Sequence, residues 1–182
     1  GLKMGSVVIS HLIGTVSLIV LFGIVATNFT IHYSFLQLEI LAHNLQEISD
    51  YVSSEASDLV SLSYLGTGDR LIFKELEVPE SVNGQPYFLN ITRSQNLIRV
   101  TAQPIRKDLM RSSYGEALLP WSAGGNIEIF NETDSVIQEH IRSFDPRVDP
   151  QTNVTSISKN LIVWCLKEGQ KTTFGLGYLE EG

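Results

Sequence analysis

The chain has 182 residues, 43% of them hydrophobic, and its 20 acidic against 13 basic residues leave a formal net charge of −7. That length holds one domain plus an extension. The acidic balance argues against a nucleic-acid surface, which needs clustered Lys and Arg; the only dense basic group, IRKDLMR at 105–111, reads as a solvated loop.

The first element is apolar. GSVVISHLIGTVSLIVLFGIVATNF, residues 5–29, carries no Asp, Glu, Lys or Arg, and Lys3 is the only charged side chain before Glu39. This run is longer than a secretory signal core of about 7–15 residues, has no basic region before it and shows no small-residue cleavage site after it. As a helix its 25 residues extend roughly 37 Å, enough to cross a hydrocarbon core of about 30 Å. Ser6, Ser10 and Gly14 are spaced four apart, and Leu18, Leu21 and Val25 continue at helical steps. Gly23 and Ala26–Thr27 continue the small positions, and small residues so spaced let helix backbones approach closely; Ser6, Ser10, Gly14, Leu18, Leu21 and Val25 are the candidates for helix–helix packing.

Residues 31–62 contain neither Gly nor Pro, so the helix is expected to continue. Leu38, Leu41, Leu45, Ile48, Val52, Ala56 and Leu59 form one apolar stripe at helical period, while Glu39, Glu47, Asp50, Glu55 and Asp58 occupy other faces. The expected element is a single helix of some 55–60 residues, roughly 85 Å long, ended at the latest by Gly66 and Gly68. The stripe must be covered. A following domain can cover its far half. The part near residues 35–45 is harder to cover within one chain, and helices of neighbouring subunits would do it. Leu41, Leu45, Ile48 and Val52 therefore join the candidate helix-packing residues.

After Gly68 the period changes to that of strands. Strands are predicted at 70–79, 86–93, 97–105, 126–131, 160–169 and 171–179, separated by the turn signals ESVNGQP, SQN, SAGG and KEGQK. The last two form a hairpin. TDSVIQEHIRS, 133–143, reads as a short helix capped by Thr or Asp, and FDPRVDPQTN, 144–153, as a loop marked by Pro and Asp. The predicted class is α+β: one long N-terminal helix, hydrophobic then amphipathic, over residues 1–62, followed by a mostly antiparallel β-sheet domain over 63–182.

Chemistry-bearing residues are sparse. Cys165 is the only cysteine, which excludes an intrachain disulfide, and its apolar surroundings mark a buried inert thiol. His32 and His43 are eleven residues apart, roughly 16 Å along a helix, too far to share a metal. Glu75 and Glu77 alternate on one strand face and read as solvated, while Trp121 and Trp164 read as packing residues. GTGD at 66–69 lacks the lysine and the strand–loop–helix context of a phosphate loop. No catalytic, metal or cofactor site is expected, and an enzyme is the least favoured class. Sequons occur at Asn28, Asn90, Asn131 and Asn153. Asn28 lies in the apolar run; Asn90, Asn131 and Asn153 are glycosylation candidates consistent with an exported surface.

This order of elements resembles the type IV pilins: a chain opening on a hydrophobic helix, continuing as an amphipathic helix, then carrying a β domain. A start at Gly1 without Met is expected for a chain from which a prepilin peptidase has removed a short leader. Bacterial pilins usually carry Glu at the fifth mature position; Gly5 stands here, which points to the archaeal branch. KELEVPESVNGQPYFLNITRSQNLIRVTA, 74–102, resembles a recurrent archaeal pilin-like segment, and beyond Gln103 the resemblance stops. It implies a subunit that waits in the cytoplasmic membrane, is extracted by assembly machinery, and polymerises with copies of itself into an extracellular adhesive filament. It implies no cofactor. The alternatives are a membrane-anchored minor pilin-like protein with an envelope partner, and a component of a motility filament, although the Gly-rich opening of archaellins is missing.

Overall fold

The computed structural model describes residues 2–94, 97–106, 108–109, 113–122, 126–158 and 160–180, with side chains described at Ile9 and from His11 onward. The turn tips at 95–96 and 123–125 lie outside the described residues. The chain divides into two compact units, Gly1–Glu39 and Ile40–Gly182. The first helix, α1, runs over Leu2–Tyr64, slightly longer than predicted and through the unit boundary. The class is α+β, as expected: one long N-terminal helix and a mostly antiparallel sheet domain.

In the second unit two sheets and the C-terminal part of α1 share one core. Strands β1 (Arg70–Glu75), β8 (Leu161–Glu168), β9 (Lys171–Leu179) and β5 (Ile127–Ile129) form one sheet in that order, with β6 (Val148–Gln151) also pairing with β9. The other sheet has the order β4 (Gly115–Ser122), β3 (Leu97–Pro104), β2 (Tyr87–Ser94), β7 (Asn153–Thr155). Every ladder is antiparallel except β5 with β9. The main core joins Leu41, Leu45, Val52, Ala56 and Leu59 of α1 to Leu89, Val100, Val163, Phe174 and Leu176 from both sheets. Burial of this stripe is what holds the last six turns of α1 to the sheets.

Strand β8 explains its own unbroken apolar run, LIVWCL. Leu161, Val163 and Cys165 face the main core, while Ile162, Trp164 and Leu166 face a second cluster. That cluster lies under α2 (Ser135–Phe144), which inserts Ile137 and Ile141. A strand covered on both faces has no polar alternation to show. Trp164 stacks edge-on against Phe130, and its indole N–H donates to the Leu176 carbonyl at 2.8 Å. Gly175 is its cross-strand partner; a Cβ there would come within 2.9 Å of the indole ring. Helix α2 starts at Asp134, whose carboxylate accepts from the Ile137 N–H.

Turn chemistry follows the sequence signals. Asn83 and Gly84 both take positive φ between the bridged Val82 and Gln85, as an Asn-Gly turn does, and Gly169 takes φ 58° in the β8–β9 hairpin. At the end of α1, Arg70 donates to the Ser63 carbonyl at 3.3 Å and Lys167 to the Gly66 carbonyl at 2.9 Å. Arg70 thus sits against a carbonyl of the last helical turn, and Lys167 against one in the turn that follows the helix.

Three strands differ from the sequence reading. β4 was not expected; β6 lies within the segment predicted as a loop, 144–153, and β7 begins at its last residue and runs past it. β4 carries Pro120, at an edge that lacks a second neighbour, where proline removes no ladder bond. Glu75 closes β1, so Glu77 lies beyond the strand and the two do not share a strand face.

Candidate assembly surface

The first unit presents apolar surface without an intrachain cover. Every described side chain from His11 to Gln37 is exposed, as is Ile9. Leu18, Ile19, Val20, Leu21 and Phe22 follow one another, and five consecutive helical residues pass through more than a full turn. No polar face therefore exists in this stretch. A helix apolar all round is a helix for a protein core or a bilayer, and not one that lies in a membrane interface. An 18-residue window of mean hydropathy 2.1, none of it buried, makes the helix long and apolar enough to cross a membrane.

Five polar residues within this stretch bond back to their own helix. Thr15 donates to the His11 carbonyl at 2.9 Å, Thr27 to Gly23 at 2.8 Å, Asn28 to Ile24 at 2.9 Å, Thr30 to Ala26 at 2.9 Å and Ser34 to Thr30 at 2.9 Å. Each bond returns to the carbonyl four residues earlier. The helix can then enter a dry environment without stranding those hydroxyl and amide donors. The sequence reading did not foresee these bonds; Ser, Thr or Asn inside an unbroken helical run, where the side chain reaches the carbonyl four residues back, was the available signal.

Gly14 and Gly23 are open. A Cβ built at either meets nothing within 4 Å. Leu18, Leu21 and Val25 are each more than half exposed. The side chains of Ser6 and Ser10 lie outside those described.

Leu41, Leu45, Ile48 and Val52 require a correction. All four were named as helix-packing candidates, with cover by neighbouring subunits expected near Leu41 and Leu45, but all four are buried within the second unit, Leu45 and Val52 completely. The reason is the close approach of β4, whose Gly115 has no side chain: a Cβ there would lie 2.1 Å from the Leu45 carbonyl oxygen. Gln46 completes the contact. Its amide donates to the Glu116 carbonyl at 2.8 Å and accepts from the Glu116 N–H at 3.0 Å, standing in for a neighbouring strand on β4. Lys74 adds an ion pair with Glu55 from β1, which raises the lysine above its ordinary range. The apolar surface open to a partner therefore ends near Ile40, which is half exposed.

Among the described residues no group of three His, Cys, Asp or Glu side chains is placed to hold a metal ion. His140 pairs with Glu168, and His43 lies 3.6 Å from Glu47. Cys165 is buried, and burial pushes its thiol up to about 11, partly offset by Ser63 and Arg70. Trp164 is fully buried, and Trp121 packs edge-on against Phe174.

Comparison with family models, with curated proteins and with solved structures finds no match. The apolar helix and its open glycines are thus the features from which function is argued.

Proposed function

We propose that this chain is the structural subunit of an extracellular helical filament of the archaeal type IV pilin kind, used for surface adhesion. The observation that carries the reading is the exposed stretch 9–36, apolar on every face, with Thr15, Thr27, Asn28, Thr30 and Ser34 each bonded back to a carbonyl of the same helix. Before assembly this helix resides in the cytoplasmic membrane. In the filament, copies of the same helix replace lipid around it.

The energetics set the division of labour. Moving the helix from lipid to a helical core gains little hydrophobic free energy, because both surroundings are apolar. Close packing at Gly14 and Gly23 supplies the affinity, and an assembly motor supplies the work. Returning the helix to water is costly: at about 25 cal/mol per Å², re-exposing on the order of 500 Å² costs about 12 kcal/mol. Repetition of one head-to-tail contact that does not close into a ring gives an open helical polymer. The sheet domain then faces outward, where adhesive contacts and glycans belong.

The second reading is a monomeric membrane anchor carrying an envelope-binding domain, favoured by the same mean hydropathy. Gly14→Leu separates the two. Its side chain meets nothing in its own chain, so the variant folds and inserts normally. Filament formation is lost if neighbouring helices pack there. Filaments of normal number and length from Gly14→Leu would remove the packing argument and leave the anchor.

A further inference from the structure

The four sequons lie in four different settings, and only one lies wholly outside a helix or a strand. Asn28 is in the apolar stretch of α1, with its side-chain nitrogen committed to the Ile24 carbonyl. Asn90 is in the middle of β2, paired with Thr101 on one side and Asn153 on the other. Its Oδ1 is shielded from solvent without a partner, and the next residue, Ile91, is in the main core. Asn153 is itself exposed, but Val154 is fully buried. Thr155 is engaged twice: its N–H donates to the Tyr178 hydroxyl at 2.9 Å, and its hydroxyl lies 2.9 Å from that of Ser158.

The sequon at 131–133 differs in its placement and in its first and third side chains; Glu132 between them is engaged, its carboxylate accepting from the Thr152 N–H at 2.8 Å and its carbonyl from the Gln138 amide at 3.3 Å. The triplet lies between β5 and α2, outside any ladder, and Asn131, Glu132 and Thr133 are all exposed. The Thr133 N–H donates to Asn131 Oδ1 at 3.3 Å, turning the carboxamide oxygen inward along the chain. Among the described residues, nothing engages the Asn131 side-chain nitrogen or the Thr133 hydroxyl. A transferase can grip these three residues without opening a sheet.

We propose that Asn131 is the N-glycosylation site of this chain, and that Asn90 and Asn153 remain unmodified in the folded protein. The inference rests on the exported reading above. The donor is an oligosaccharide carried on a lipid phosphate. The Asn131 nitrogen attacks the anomeric carbon; the C–N bond forms as the bond from that carbon to the phosphate oxygen breaks. The phosphate leaves with the electron pair, and the nitrogen loses one proton to a base of the transferase.

The test is peptide mass spectrometry of the full chain recovered from its own cells, choosing cells whose other envelope proteins carry N-glycans. The expected result is an oligosaccharide on the Asn131 peptide alone, with the whole glycan mass lost in both Asn131→Gln and Thr133→Ala. A glycan on Asn90 or Asn153 with Asn131 bare, or no glycan anywhere, overturns the site. Protease added to intact cells separates the two levels of failure. A chain that is cleaved but bare sinks the site alone. A chain that is protected from the protease sinks the exported reading and the site with it.

Discussion

Two stretches of one helix obey opposite rules. From Leu41 to Val60 the buried apolar side chains form a single stripe, and the sheets of the same chain cover it, so that Leu45 and Val52 have no exposure at all. Residues 9–36 carry apolar side chains on every face, and nothing within their own unit covers them. The first pattern is that of a surface helix of a globular domain, complete within one molecule. The second demands a solvent other than water. A helix can thus be continuous in its backbone and change the medium it is written for within one turn, near Glu39, the first charge after Lys3.

The comparison is sharpest at paired truncations. Leu45→Ala leaves a cavity under β4 and is expected to cost about 2–5 kcal/mol, lowering the melting temperature of the detergent-solubilised chain by roughly 5–15 °C. Leu21→Ala, on the open stretch, is expected to change the same melt by less than about 0.5 kcal/mol. Equal shifts from the two would abolish the distinction. Glycines give the next contrast. Gly115→Ala forces a methyl into the backbone of residues 45–46 and is expected to cost about 2–3 kcal/mol, measurable by urea unfolding, whereas Gly14→Leu leaves the unfolding midpoint unchanged.

A smaller effect is confined to the second unit and to alkaline pH. The Cys165 thiol ionises near 9.0 in the unfolded chain and is pushed up to about 11 by burial in the folded one. Its folded pKa is raised, so the native state favours the neutral thiol. That contribution is complete below pH 9 and is lost as pH rises toward 11, with about 2–3 kcal/mol at stake. Burial also raises the Tyr87 phenol, whose hydroxyl donates to the Pro79 carbonyl at 2.7 Å, and it adds to the same alkaline loss. Replacing Cys165 with Ala is expected to flatten the pH 9–11 limb of the stability profile, leaving the Tyr87 part. An unchanged limb would mean that the thiol is solvated.

Much of the fold was legible because local chemistry and tertiary structure agree there. The unbroken helical pattern, the Asn83-Gly84 turn, the Gly169 turn and the Asp134 cap each encode their own geometry. β4, β6 and β7 were not legible. Pro120 and Pro150 argue against strands in isolation, and only pairing at a sheet edge, with β3 or β9, makes their positions extended. The stripe from Leu41 to Leu59 was legible as apolar, and the following domain was expected over its far half; that the same domain also covers Leu41 and Leu45 was not legible. That depends on Gly115, seventy residues away from Leu45, whose only signal is the absence of a side chain. Among the candidate packing residues, the sequence separated small from large without separating those that the chain buries itself from those it leaves open.

The central claim is that the open stretch is covered by copies of the same helix. Electron microscopy of material sheared from the source cells, with mass spectrometry of the N-terminus of its protein, tests it most directly. The account predicts thin helical filaments composed of this chain, with the helices of residues 9–36 bundled at the filament axis and the sheet domains outside. Recovery of the chain only in the membrane fraction, with no filament containing it, would contradict the account and establish the anchor in its place.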